Sequence, residues 1–218
     1  MDCTDPGTWG PAIDEAVNAV GRGALVVLPT DTVYGIGADA FNPQAVTALL
    51  AAKVRGRQVP PPVLVPEVRT LDGLCADLPP LARDLVAAFW PGGLTVICRA
   101  QPSLAWDLGE TRGTVAVRMP DHPAALALLR RTGPLAVSSA NLTGRPAART
   151  AAAAAEQLGA SVAVYLEAGQ SPGGVASTIV DVTGPLRLVR AGAISLAELR
   201  RVADVLDLDA PRDGADAP

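Results

Sequence analysis

Along this chain, short apolar runs alternate with stretches of helical spacing, and that alternation sets the expected architecture. Ile13, Ala16, Val17 and Val20 recur at helical intervals and end at Gly21 and Gly23, which predicts a helix over Pro11–Val20. The aliphatic run from Leu25 reads as a buried strand that stops at Pro29, which has no N–H for a sheet ladder. Asn42 and Pro43 are a cap and a first-turn proline, opening a helix through Val46, Leu49 and Leu50 to Ala52. Pro60, Pro61 and Pro62 form a stiff lead into a short strand over Val63–Val65.

The second half repeats the alternation. Leu71 and Leu74 predict a short helix, Pro79–Trp90 a longer one, and Leu94–Cys98 and Thr114–Arg118 two strands separated by an irregular stretch. Asp121 is read as the cap of a helix running to Arg131, with His122 in its first turn. Leu135–Val137 is a brief strand, Thr150 caps an alanine-rich helix to Leu158, and Val162–Tyr165 is another strand. GGVASTIVDV and PLRLVRAG are strands joined at Gly184 and Pro185, a hairpin, and Ser195 with Glu198 makes a capping box for a last helix, Leu196–Leu206. The expectation is an α/β fold whose twisted sheet is mixed, because a hairpin cannot be parallel. One domain over residues 8–206 is expected, with a disordered polar tail over 207–218.

Composition narrows the function. A formal charge of −4 argues against a protein whose affinity comes from neutralising a phosphate backbone, and 3% aromatic content leaves few base-stacking platforms. Cys3, Cys75 and Cys98 are odd in number and widely spaced, which fits neither a disulfide framework nor a metal-ligand pattern and implies a reducing, cytoplasmic setting. No signal peptide is expected at the acidic N-terminus, and no apolar run reaches the roughly 20 residues that span a bilayer.

Chemistry-bearing residues cluster just beyond strand ends, where an open α/β sheet presents its ligands. Thr30, Asp31, Thr32 and Tyr34 follow the first strand, with Gly35 and Gly37 read as a turn or a close approach. Lys53, Arg55 and Arg57 crowd a helix end, and Lys53 is the single lysine in a chain that otherwise uses arginine. An anion between these charges would relieve their repulsion; a solvated basic helix end is the alternative. Ser138, Ser139, Asn141, Thr143, Gly144 and Arg145 form another dense polar segment, in which Ser139 and Asn141 point to one side if extended. Arg118 closes an apolar strand, and Ser177, Thr178 and Arg190 stand in comparable places; Asp121 and Asp181 are candidate carboxylate partners for the arginines. There is no Walker loop, the glycines at 35 and 37 lack the acid of a dinucleotide fingerprint, and His122, the one imidazole, has no Ser-His-Asp setting.

Taken together, PTDTVYGIGAD, KVRGR, FWPGGLT, VAVRMPDHP, SSANLTGRPA, ASTIVD and LVRAG, in that order, resemble the L-threonylcarbamoyladenylate synthase family with its YrdC-like domain. The resemblance covers nearly the whole chain. It implies a twisted mixed sheet flanked by helices, with a basic cavity on one face. It also implies a nucleotidyltransferase that makes threonylcarbamoyl-AMP and pyrophosphate from L-threonine, bicarbonate or CO2, and ATP with Mg²⁺. The product would pass to partner proteins that modify tRNA, and a direct tRNA contact is part of the same implication.

By the resemblance, Thr32, Arg118 and Ser177 hold threonine, and Lys53, Arg55, Ser139 and Asn141 form the catalytic tetrad. Lys53, Arg55 or Arg57, Thr114, Ser139 and Arg190 contact the nucleotide, and no protein metal site is implied. The chain departs from the family pattern after KVRGR, where Arg57 and three prolines replace a run with an asparagine, so Arg55 and Arg57 compete for one role. A histidine some members carry after the next strand is missing, as is the extra C-terminal domain of longer members. Two rivals stand beside this reading: a tRNA- or double-stranded-RNA-binding module of the same fold without adenylation, and a paralogue acting on another carbamoyl or acyl adenylate.

Overall fold

The computed structural model describes residues 1–209. Its helices are α1 (Gly10–Gly21), α2 (Pro43–Ala52), α3 (Thr70–Leu74), α4 (Pro80–Phe89), α5 (Pro123–Thr132), α6 (Ala151–Leu158) and α7 (Leu196–Leu199). The strands are β1 (Val26–Leu28), β2 (Gly35–Asp39), β3 (Val63–Leu64), β4 (Cys75–Ala76), β5 (Leu94–Ala100), β6 (Thr114–Arg118), β7 (Leu135–Ser139), β8 (Val164–Tyr165), β9 (Thr178–Asp181) and β10 (Arg187–Arg190). All ten join one sheet in the order β10-β9-β5-β6-β3-β7-β2-β1-β8, with β4 beside β5. The sheet is mixed as expected: β1–β8, β3–β6 and β5–β9 are parallel, while β1–β2, β2–β7, β5–β6 and the β9–β10 hairpin are antiparallel.

Alternation along the strands divides the core between the two faces. Val26 and Leu28 join Leu135 against α1 and α5, while Val27 joins Ile36, Val96 and Val117 against α2, α4 and α6. Helix starts follow local chemistry: Asn42 Oδ1 accepts the N–H groups of Gln44 and Ala45, and Thr150 accepts that of Ala153. The capping box of Ser195 and Glu198 is also present.

Four expectations are corrected. Of the two readings of Gly35 and Gly37, the turn fails and the close approach holds: both lie inside β2, where a Cβ on Gly35 would stand 2.6 Å from Val137 Cγ1. Asp121 does not cap α5, whose N-cap position is His122; instead the Asp121 N–H donates to Asp31 Oδ1 at 2.9 Å. The last helix ends at Leu199, not Leu206, because the chain turns back to place Leu206 beside Arg187 and Leu188. Cys75 and Cys98 are disulfide-bonded: β4 pairs with β5, which brings their Cα atoms to 6.0 Å, a proximity their spacing in sequence does not signal. Cys3 is free and buried. The first residues pack on the same body, Asp2 bridging Glu167, and from residue 210 onward the expected tail lies outside the described residues.

Candidate active site

On the α1/α5 face, the middle of the sheet is left open, and a cavity of about 310 Å³ occupies it. Alternation decides which side chains reach it. Thr95 and Ile97 of β5 line the cavity while Val96 faces the opposite core, and Thr114, Ala116 and Arg118 of β6 do the same around Val117. Thr30 and Thr32 come from the end of β1, Arg55 from beyond α2, Ser138 and Ser139 from the end of β7, Ser177 from the start of β9 and Arg190 from β10. Seven of the ten residues to which the resemblance gives a binding or catalytic role therefore converge: Thr32, Arg55, Thr114, Arg118, Ser139, Ser177 and Arg190. No Asp or Glu is among the lining residues.

Arg118 is only 6% exposed, and its guanidinium is held on three sides. Nε donates to the Gly92 carbonyl at 2.9 Å, Nη1 to Thr32 Oγ1 at 2.8 Å and Nη2 to Asp31 Oδ1 at 2.6 Å. The carboxylate partner is thus Asp31, not Asp121 or Asp181; Asp181 accepts from Thr183 instead. A guanidinium carries five N–H donors, so these three contacts leave two for a ligand. Burial pulls the Arg118 pKa down and Asp31 opposes that shift. Arg55, Arg118 and Arg190 line the same cavity, and the Arg190 pKa is lowered by burial and then by the positive charges of the other two.

Arg55 and Arg57 separate cleanly. Arg55 lines the cavity, donating to Ser138 Oγ at 3.0 Å and to the Val59 carbonyl at 2.7 Å, whereas Arg57 turns outward to an exposed ion pair with Asp107 at 2.6 Å. Lys53 also stands behind the lining. It is 1% exposed, and its ammonium donates to the carbonyl oxygens of Ser139 and Asn141. Val54 between them adopts φ 52°, a left-handed conformation costly for a β-branched residue. Burial, and then Arg55, push the Lys53 pKa down to about 8. Asn141 does not share a ligand-facing direction with Ser139: its amide donates to the carbonyls of Leu142 and Arg145, while its Oδ1 is buried without a partner among the described residues. Tyr34 points away too, with its hydroxyl on the Gly169 carbonyl at 2.7 Å and its pKa pushed up to about 12, chiefly by burial.

The arrangement is one of guanidiniums and hydroxyls around a cavity of small-ligand size, suited to holding anionic groups. The profile of the Sua5/YciO/YrdC family, described as telomere recombination, matches residues 18–192. The chain belongs to the Sua5/YciO/YrdC family. It is 53% identical over 211 residues to a putative threonylcarbamoyl-AMP synthase of Mycobacterium tuberculosis, covering 96% of each chain. It is 37% identical over 214 residues to the threonylcarbamoyl-AMP synthase of Bacillus subtilis, covering 96% of this chain and 62% of that longer protein. Pyrococcus abyssi Sua5 in complex with L-threonine superposes with a TM-score of 0.86 at 33% identity, over 94% of this chain and 63% of the Sua5 chain.

Sequence reasoning passed over Thr95, which lines the cavity, and gave no role to Asp31, which stands behind it as the partner of Arg118. Thr95 sits inside the apolar run LTVIC, and only the strand's alternation places it with Ile97 on the cavity side. Asp31 was visible as a polar residue after β1, but its pairing with Arg118 depends on a contact between residues 87 positions apart. Among the described residues no three His, Cys, Asp or Glu side chains group so as to hold a metal ion.

Proposed function

We propose that this chain forms L-threonylcarbamoyl-AMP, as a nucleotidyltransferase acting on L-threonine, bicarbonate or CO2, and ATP. The observation that carries the reading is the convergence of Thr32, Arg118 and Ser177 with Arg55, Thr114, Ser139 and Arg190 on one cavity. Threonine carboxylated on nitrogen attacks the α-phosphorus of ATP through its new carboxylate, and the bond to the β-phosphate oxygen breaks to release pyrophosphate. Such a step needs two anions brought together and charge stabilised on phosphorus, tasks for guanidiniums and hydroxyls without a protein nucleophile.

In this reading the two spare N–H groups of Arg118 take the threonine carboxylate beside Thr32 and Ser177. Arg55 and Arg190 take phosphate oxygens, with Thr114 and Ser139. Lys53 and Asn141 act through the loop that carries Ser139, whose carbonyl the ammonium grips. Arg55, not Arg57, fills the phosphate role, since Arg57 is occupied by Asp107. Mg²⁺ travels with the triphosphate, held by phosphate oxygens, and no step is assigned to a protein-bound metal. The product passes to proteins that modify tRNA, and the use of ATP supports a cytoplasmic setting. The RNA-binding alternative has against it a net charge of −4 and relatives named as synthases.

The test is pyrophosphate release from ATP, measured with each substrate omitted in turn. Release is expected only when threonine and bicarbonate are both present, and Lys53→Ala should abolish it; turnover without threonine would refute the assignment.

A further inference from the structure

Thr95 is a lining residue to which neither the sequence nor the family resemblance gives a role, and its hydrogen bond to Ser177 assigns one. Its hydroxyl lies 2.8 Å from Ser177 Oγ, and Ser177 Oγ also accepts an N–H from Arg190 Nη2 at 3.0 Å. A hydroxyl has two lone pairs and one hydrogen, so the direction of the Thr95–Ser177 bond decides what Ser177 offers the cavity. If Ser177 donated to Thr95, the Thr95 hydrogen would be left without an acceptor at a position 0% exposed, the unfavourable case for a buried donor. If Thr95 donates, both Ser177 lone pairs are filled, by Arg190 and Thr95. The hydrogen of Ser177, which is 6% exposed, is then free to point into the cavity.

We propose that Thr95 is a positioning residue that sets Ser177 as a hydrogen-bond donor unable to accept, so that this corner of the cavity takes an acceptor such as the threonine carboxylate and refuses a group that can only donate. Arg118 favours the same ligand by charge, and Thr95 adds directional selection. This inference rests on the threonine-binding reading given above.

Calorimetric titration of L-threonine into the full chain tests it, comparing wild type, Thr95→Val, Thr95→Ser, Ser177→Ala and the double variant Thr95→Val/Ser177→Ala. Valine keeps the volume and removes the hydroxyl, so threonine affinity should fall about tenfold while affinity for ATP stays unchanged. Thr95→Ser should restore binding. Because Thr95 acts through Ser177, adding Thr95→Val to Ser177→Ala should cause no further loss. Equal threonine affinity in wild type and Thr95→Val, or additive losses in the double variant, would overturn the role of Thr95 and leave the function intact. A wild type that binds ATP but no threonine would remove the parent reading and this one with it. A parallel loss of ATP and threonine binding in Thr95→Val would mark Thr95 as a general packing residue and overturn the proposal.

Discussion

Lys53 keeps its ammonium inside the protein, where two backbone carbonyls receive it and a neighbouring guanidinium repels it. Its folded pKa of about 8 lies below the ordinary 10.5, so between those values the unfolded chain holds a proton that the folded chain has released. The burden of a buried charge is thus present in full below pH 8 and is relieved as pH rises towards 10.5. The stability of wild type relative to Lys53→Met is expected to increase across that window, by up to about 1.4 kcal/mol per pH unit. Denaturant melts of both proteins at pH 7.5 and 9.5, as chosen test conditions, would show it; a difference flat with pH would contradict the assignment. That Lys53 was unusual could be read from its solitude among arginines. That it would face a loop and not the cavity could not, because its direction depends on the left-handed turn at Val54 and on carbonyls more than eighty positions away.

Among the elements, legibility followed the length of the local signal. Helix caps at Asn42, Thr150 and Ser195 were readable because side chain and backbone partner lie within three residues. β2 was hidden because glycine disfavours strands, and here the glycines serve packing between neighbours. Gly35 lies opposite Ser139 on β7, with the methyl groups of Val137 filling the space a side chain would take. Gly35→Ala should therefore destabilise by about 1–3 kcal/mol despite alanine's better intrinsic preference, and Val137→Ala in the same chain should recover part of the loss. Thermal melting of the single and double variants measures both. The truncated α7 is a tertiary effect of a different kind: its capping box starts a helix, but Leu206 is needed as a partner for the outer strand.

For the whole molecule, the mixed sheet and the order of its elements were legible, whereas the cavity was not. Each strand-end cluster could be flagged alone, but their meeting on one face follows from a sheet order that shuffles the sequence, β5-β6-β3-β7-β2, and the family resemblance supplied it. The same order leaves β8 and β10 at the rims, and the chain's ends cover both: Met1 to Cys3 run beside Tyr165 and Glu167, and Leu206 beside Leu188. An uncovered rim is a template for pairing with another chain. Removing residues 1–4 should accordingly bring concentration-dependent association by light scattering, with the wild type remaining clear under the same conditions.

A chain with one lysine, folded so that this lysine is 1% exposed, offers a practical handle. Amine-selective acylating reagents should find the α-amino group of Met1 and little else while the protein is native. Acetylation at Lys53, followed by mass spectrometry, would then time the opening of the loop that holds it, giving a clock for local unfolding without any engineered probe. Fast acetylation of Lys53 in native buffer would mean that the ammonium is not enclosed.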